Sequence, residues 1–232
     1  MTGTIINVVA IVGGSVLGLM FGARLSDKLK STIISGMGLF IVAMGLQMFL
    51  KTENSLVVLG ALLFGTLLGE WWHIEDGLHK FGVFLESRFS RDENDGSNRF
   101  IRGFMTASLL FAIGPIGILG SIQDGLSSDY KLLIVKSIID GFASIAFAST
   151  LGIGVAFSSL IIFVYQGGIS LLAGQLNTVI TTSMINELTA TGGILLIGIG
   201  ISNLLEIKKI RIGNMLPAIF IAPLIVWTMG LF

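Results

Sequence analysis

The feature that most constrains this chain is a series of apolar stretches, each about as long as a bilayer is wide. An α-helix needs about 20 residues to cross the hydrocarbon core. Only 12% of the residues are charged, which is about half the usual share in soluble domains. The sequence therefore predicts an all-α, polytopic integral membrane protein of about eight spans. The stretches lie at residues 3–23, 32–50, 55–72, 101–121, 131–151, 155–175, 187–206 and 213–231.

A count of seven spans is the alternative, because the fifth and sixth stretches are separated only around the sequence TLGIGV. The basic residues favour eight. If loop 24–30 faces the cytoplasm and the loops alternate, 11 of the 14 Lys and Arg residues fall on the cytoplasmic side. Such a bias is typical of cytoplasmic loops, and it predicts that both termini lie outside. These residues are Arg24, Lys28, Lys30, Lys80, Arg88, Arg91, Arg99, Arg102, Lys208, Lys209 and Arg211.

Residues 73–100 interrupt the apolar series. Large apolar side chains recur there at helical spacing, with charged residues between them, which predicts an amphipathic helix on the cytoplasmic face. The sequence RDENDGSN at 91–98 predicts a flexible, solvated loop. The apolar positions are Ile74, Leu78, Phe81, Leu85 and Phe89.

Two stretches resemble each other. In GMGLFIVAMGLQMFL (36–50) and TGGILLIGIGISNLL (191–205), Gly38 and Gly45 coincide with Gly193 and Gly200. Five spans precede the sixth, so a repeat of spans 1–3 as 6–8 would be inverted, as in many secondary transporters. The alternative is a chance match between two apolar helices. The repeat predicts one transmembrane domain, 1–232, with a first repeat at 1–72, the segment at 73–100, central helices at 101–151 and a second repeat at 155–232.

Small residues follow one face of several spans, such as Gly14, Gly18 and Gly22 in the first. Such faces let helix backbones approach closely in a bilayer. We expect tight packing within the bundle or a homodimer through these Gly, Ala and Ser faces.

Two ionisable residues lie inside the fifth stretch, LLIVKSIIDGFASIAFAS (132–149). Asp140 falls about 14 Å into a span that starts near residue 131, and a charge at that depth costs about 3 kcal/mol or more. Lys136 lies four residues before Asp140, so the two side chains can pair on one helix face. The pair is either a substrate or coupling-ion site or a salt bridge that only fixes helix packing.

A second candidate site is AIGPIGILGSIQDG (112–125). Proline removes a backbone donor and disfavours helix at the preceding residue, so a broken or re-entrant span is expected, with a simple kink as the alternative. Broken helices expose backbone groups that bind ligands in transporters. The candidate residues are Gly114, Pro115 and Gly117 at the break and Ser121, Gln123 and Asp124 at its mouth.

Asn7 and Asn214 lie early in the first and last spans and complete the candidate set. Each of them, like Gln166, either forms an interhelical hydrogen bond or binds a ligand. Glu70 and His73 have the spacing of one di-iron motif, but no second copy follows. With two His, no Cys and no nucleophile–base pair, we expect no metal, no cofactor and no enzymatic activity. The zero net charge argues against a nucleic-acid partner.

The motifs GPIGILGSIQDG, KSIIDGF and NMLPA, with the opening IINVVAIVGGSVLG, resemble the YqgA/YdfK-like family of bacterial inner-membrane proteins. That family is classed as a domain of unknown function. The resemblance covers nearly the whole chain and implies a polytopic protein of the bacterial plasma membrane. It carries no catalytic assignment.

The residues predict a transport protein for a small solute or ion, coupled to H⁺ or Na⁺. In this interpretation Asp140 binds the coupling cation, Lys136 binds an anionic group or Asp140 itself, and the break at Gly114 offers backbone ligands. The alternatives are a scaffold or sensor with a structural Lys–Asp pair, and an ion channel.

Overall fold

The computed structural model describes residues 1–89, 96–177 and 180–230, which form helices and connecting turns with no β-strand among them. The last span begins with a 3-10 turn, Ile212–Met215, and a π-helical turn, Gly200–Leu204, continues α10. The helices are α1 (Thr2–Gly22), α2 (Asp27–Phe49), α3 (Ser55–Trp72), α4 (Ile74–Phe89), α5 (Gly96–Ala112), α6 (Pro115–Ser127), α7 (Lys131–Leu151), α8 (Gly154–Leu171), α9 (Ala173–Asn177), α10 (Thr182–Ile199) and α11 (Ala218–Met229).

The prediction of an all-α, polytopic membrane protein is confirmed. Within the described residues, seven helices are long and apolar enough to cross a membrane, and α5 with α6 makes an eighth if this bent pair is one span. The predicted boundaries were less accurate. Span two begins at Asp27 rather than residue 32, and span seven begins at Thr182 rather than residue 187. Span four runs to Ser127 rather than residue 121, because the helix resumes after the break.

The segment at 73–100 contains the predicted helix, α4, on which Gly82 and Leu85 are buried. Of the predicted loop at 91–98, residues 91–95 lie outside the described residues. Residues 96–98 begin helix α5, so the loop prediction was wrong there.

The chain divides into two compact units, which are treated separately. The first comprises Met1–Ser35 and His79–Thr178, and the second comprises Gly36–Leu78 and Val179–Phe232. We refer to them as the first unit and the second unit.

In the first unit, α1 and α7 run parallel and in close contact. A side chain at Gly3 would meet Leu133, and one at Gly22 would meet the backbone of Ser149. Between these points the Gly14 backbone lies against the Gly141 carbonyl. The glycines are therefore required by the close approach of two backbones.

The broken span and α8 form a second parallel pair in this unit. A side chain at Gly154 would overlap the carbonyl of Phe100, and the Ser170 hydroxyl donates to the Ser121 carbonyl at 2.9 Å. The two helical segments therefore run parallel, and α8 lies beside α5 at one end and beside α6 at the other.

In the second unit, α2 and α10 cross in opposite directions. Gly38 lies against Gly200, and Gly45 lies against Gly193. Nearby, α3 packs on α11 around the small residues Ala61, Ala218 and Ala222. The small-residue faces are thus used for packing within the chain. A homodimer through such faces stays a prediction.

Candidate functional site

The central feature of the first unit is a buried ion pair between Lys136 and Asp140 on α7. The Lys136 ammonium lies 2.6 Å from Asp140 Oδ2, and the two side chains are 9% and 7% exposed. From α1, the Asn7 amide donates a hydrogen bond to the same carboxylate oxygen at 3.0 Å. Asn7, Lys136 and Asp140, predicted from separate stretches, therefore meet in one place. Their burial among apolar helices makes the pairing necessary, since an unpaired charge would cost far more.

The span opposite this pair is broken at Gly114. Helix α5 ends at Ala112, α6 begins at Pro115, and their axes differ by 65°. Gly114 has a φ of 146°, which only glycine adopts without strain, and Pro115 suits the first position of a helix. The prediction of a broken or re-entrant segment is confirmed, and a simple proline kink is ruled out.

The residue at the N-cap position of α6 is Gly114, which has no side chain to cap the first turn of the helix. A helix N-terminus carries unpaired N–H groups in its first turn. Gly117, in that turn, is buried. A methyl group on Gly117 would lie 3.0 Å from Lys136 Cε and 3.7 Å from Gln166 Nε2. Glycine at this position thus lets the lysine stem and an amide from α8 lie directly on the start of α6.

For Gln166 the sequence left two alternatives, an interhelical hydrogen bond or a ligand contact, and the structure shows no interhelical hydrogen bond among the described residues. Its side chain is fully buried. Neither Nε2 nor Oε1 has a hydrogen-bond partner in the part of the chain that the structure describes. We define the polar cluster as Asn7, Gly117, Lys136, Asp140 and Gln166. Sequence reasoning noted Gln166 but left it out of the candidate site, because a lone glutamine in an apolar span gives no sign of its surroundings.

Three other predicted site residues lie along α6, as part of the helix itself. Asp124 is buried and accepts a hydrogen bond from the Gly3 N–H at 3.0 Å, with the Met1 amino group 3.1 Å away. It therefore caps the N-terminus of α1, where a carboxylate is favourable. Ser121 is buried and Gln123 is exposed. These residues do not line a mouth at the end of a shorter span, because the helix continues past them.

Asn214 belongs to the second unit and does not join the polar cluster. Its Oδ1 accepts a hydrogen bond from the Glu75 N–H at 2.7 Å, and the Glu75 carboxylate accepts one from the Gly213 N–H at 2.8 Å. Burial raises the pKa of the Glu75 carboxyl, while the Gly213 hydrogen bond and the Arg211 charge lower it. Asn214 thus joins α4 to the start of the last span.

Another buried carboxylate, Glu187 on α10, was missed entirely. It accepts hydrogen bonds from the Thr52 hydroxyl at 2.7 Å, the Glu53 N–H at 2.7 Å and the Asn54 N–H at 2.9 Å. The residue is the first position of the predicted span 187–206, and it was not singled out from the sequence. Its single charge at the edge of an apolar run was the available signal.

The suspected metal motif has other partners. Glu70 pairs with Arg211 at 2.9 Å, and His73 Nδ1 lies 3.5 Å from Asp76. Within the described ranges, no group of three or more His, Cys, Asp or Glu is placed to hold a metal ion.

Comparison with known proteins identifies relatives along the whole chain. The model of the family "Protein of unknown function (DUF554)" matches residues 2–227. The chain is 34% identical to "Uncharacterized membrane protein YdfK" of Bacillus subtilis (strain 168), over 100% of this chain and 98% of that protein. It is 31% identical to "Uncharacterized protein YqgA" of Escherichia coli (strain K12), over 95% of this chain and 94% of that protein. No solved structure matches significantly.

Proposed function

We propose that this chain, which belongs to the DUF554 family of membrane proteins, transports a small solute or ion across the bacterial plasma membrane and is not an enzyme. The observation that carries the proposal is the polar cluster, which combines an ion pair with an unpartnered amide at the start of a broken helix. Broken helices beside polar groups are the usual form of substrate sites in secondary transporters.

The unpartnered Gln166 amide supports a binding role for the polar cluster. A buried polar group without a partner costs about 1–3 kcal/mol. Gln166 bears this cost at both polar atoms of its side chain. A ligand that contacts the amide would remove the cost on binding.

The roles within the cluster follow from charge. Asp140 is the anionic group and binds the coupling cation, H⁺ or Na⁺. Its present partners, Lys136 and Asn7, hold the carboxylate in place. A cation bound to Asp140 weakens the ion pair between Asp140 and Lys136, so that the Lys136 ammonium group becomes available to a substrate. Coupling arises because each event favours the other.

An inverted repeat is part of this proposal, and the contacts between α2 and α10 support it. Gly38 and Gly45 align with Gly193 and Gly200, so exchanging the two repeats converts the Gly38–Gly200 contact into the Gly193–Gly45 contact. Both contacts are present, and α2 and α10 run in opposite directions. A two-fold axis that exchanges two antiparallel spans lies in the membrane plane, as inverted repeats require.

The first unit pairs its helices in a compatible way. The parallel pair α1–α7 would exchange with the parallel pair formed by α8 and the broken span. This assigns α1 to α8 and α7 to α5–α6, with the two central spans exchanging with each other.

The proposed orientation puts loops 24–30 and 207–211 in the cytoplasm and the loop at 50–54 outside. The chain has no cysteine, so single replacements can report sidedness. Ser26→Cys and Lys208→Cys should react with a membrane-impermeant maleimide only after cell lysis, while Lys51→Cys should react on intact cells. Labelling of all three on intact cells, or of none, would reject the orientation.

The experiment that tests transport uses purified protein in liposomes. A panel of salts, amino acids and small organic acids is applied at matched ionic strength, and protein-dependent currents or tracer fluxes are recorded. We expect a saturable flux that Asp140→Asn reduces at least about tenfold, equivalent to about 1.4 kcal/mol. Asp27→Asn, a matched change at an exposed carboxylate, should leave the flux intact. Full flux in Asp140→Asn rejects the assigned role, and a flux that never saturates favours a channel.

The ion pair itself favours a second candidate, a scaffold or sensor. At 2.6 Å, with Asn7 as a third member, the pair is geometrically complete without any ligand. In that case the double replacement of Lys136 and Asp140 by leucine would preserve every function of the protein.

A further inference from the structure

We infer that the polar cluster binds a small, singly charged anion, such as a monocarboxylate or a compact inorganic anion, at the N-terminus of α6. This rests on the proposed function and names its substrate class. The inference combines two independent observations, the uncapped start of a half-helix and a fully buried, unpartnered amide lying against it.

The backbone supplies the first donors. The first turn of a helix offers N–H groups without partners in the helix, together with a partial positive charge of about half a unit. In α6, Pro115 has no N–H, so the N–H groups of Ile116 and Gly117 are the ones available. A Cβ on Gly114 would meet no atom within 4 Å, so the start of the helix is not covered by a packed side chain. This combination is suited to an anion.

Gln166 supplies the next donor. Its Nε2 lies 3.7 Å from the position of a Cβ on Gly117, just beyond two carbon atoms of the Lys136 side chain. An acceptor oxygen in front of Gly117 can accept from both the backbone and this amide. Because the amide is already desolvated in the folded protein, the ligand gains its hydrogen bond without further cost of burying Gln166.

The ion pair of Lys136 and Asp140 determines which charge of the bound ligand the site favours. Its Cε lies 3.0 Å from the same Cβ position, so its ammonium group is the nearest full charge, and Asp140 balances it at 2.6 Å. The excess at the site is then the partial charge of the helix end. An excess of that size stabilises one negative charge, and a cation on Asp140 would strengthen the preference. A doubly charged anion would be left under-compensated in a buried setting.

The test is a thermal-stability titration of the purified protein in detergent, followed by the fluorescence of its three tryptophans. The probes are the potassium salts of acetate, nitrate, chloride and sulfate, and each titration is repeated with choline as the cation. Ligands that bind the folded state raise its melting temperature with concentration. We expect a saturable rise that follows the anion, is independent of the cation, and is larger for monovalent anions than for sulfate.

Gln166→Met provides the decisive variant, since methionine has a similar length but no amide. We expect the anion-dependent rise to need about tenfold higher concentrations or to vanish, while the melting temperature without anion increases, because the buried unpartnered group is gone. Gln123→Met makes the same change at an exposed position of α6 and should leave the titration unchanged. If Gln166→Met does not fold, Gln166→Asn withdraws the amide by one methylene, and it should weaken anion binding as well.

A rise that follows the cation, or a full anion response in the Gln166 variants, overturns the inference. The two proposals fail separately. Flux that depends on Asp140 but no anion response would leave transport standing without this substrate class. Anion binding without flux in liposomes would leave the site standing and reject transport.

Discussion

Each of the two units buries a carboxylate among apolar helices, and the two carboxylates differ in what surrounds them. Glu187 in the second unit accepts three hydrogen bonds from one short loop, two of them from backbone N–H groups. Asp140 in the first unit pairs with Lys136 and Asn7 from two helices, and beside it lie a glutamine amide without a partner and an uncapped helix end. The hydrogen bonds of Glu187 thus tie α10 to the loop at 52–54, whereas Asp140 belongs to a group of side chains in which Gln166 has no hydrogen-bond partner.

The difference shows that burial of a charge does not by itself identify a functional site. The cost of burial must be met in either case. What distinguishes the two places is the hydrogen-bonding capacity left over. In the second unit the loop donors and the carboxylate match, and the site has nothing to offer a ligand. In the first unit the capacity of Gln166 remains unused.

The largest expected effect concerns the ion pair. Lys136→Leu leaves Asp140 buried without its counter-charge and should lower the free energy of unfolding by about 3–5 kcal/mol. Adding Asp140→Leu should restore most of this loss, because apolar residues of similar volume replace a buried pair at little cost. Unfolding in mixed micelles measures both variants. If the double variant is as unstable as Lys136→Leu alone, the loss of stability does not come from the unpaired Asp140 charge.

Removal of Glu187 provides the counterpart in the second unit. Glu187→Ala leaves the N–H groups of Glu53 and Asn54 without their acceptor, and we expect a loss of about 2–4 kcal/mol. Glu53→Ala removes a neighbouring exposed carboxylate, whose bond to Asn186 lies at the surface, and should leave the free energy of unfolding nearly unchanged, because surface interactions contribute little. Equal losses of stability in the two variants would show that the hydrogen bonds from Glu187 do not stabilise the loop at 52–54.

Replacing a glycine at a close contact between helices should destabilise both units to a similar extent. A methyl group at Gly14 or Gly45 would overlap backbone of the facing helix, whereas one at Gly13 or Gly36 would meet no atom within 4 Å. Gly14→Ala and Gly45→Ala should each cost about 1–3 kcal/mol. The matched changes Gly13→Ala and Gly36→Ala should stabilise their helices by up to about 1 kcal/mol. Thermal unfolding separates the two classes, and similar melting temperatures within either pair would contradict the described packing.

The smallest effect is a pH dependence of the second unit at Glu75. Because burial raises the pKa of this carboxyl from 4.5, the folded state holds its proton more tightly than the unfolded state. Its contribution to stability is therefore complete below pH 4.5 and is lost as the pH rises through the folded-state pKa. Glu75→Gln should flatten the melting temperature against pH in this window. If the contribution of Glu75 to stability grows with rising pH, its pKa is lowered in the folded state, and burial is not the dominant cause.

The sequence was sufficient to predict the helical spans, because apolar length is a local property that the bilayer enforces. It also located the break at Gly114–Pro115 and the pair at Lys136 and Asp140, since proline chemistry and the four-residue spacing act within one helix. Asn7 was placed among the candidates by its position in an apolar span.

The remaining features depend on which helices meet. Nothing within α8 indicates that Gln166 lacks a partner, and nothing within α6 indicates that Asp124 caps α1. The partners of Glu187 lie more than 130 residues away along the chain. The helix after the break continues past residue 121, where the Ser121 carbonyl accepts a hydrogen bond from Ser170 of α8 and Asp124 accepts one from α1; a count of apolar residues does not register such contacts.

The claim that the polar cluster is a binding site is tested most directly by the flux of the double variant, Lys136→Leu with Asp140→Leu, in liposomes. Wild-type protein and a double variant of matched thermal stability are compared with the same solute panel. We expect the double variant to remain folded and to lose all protein-dependent, saturable flux. Flux at the wild-type level in this folded variant would contradict the claim and leave the buried pair as a packing device.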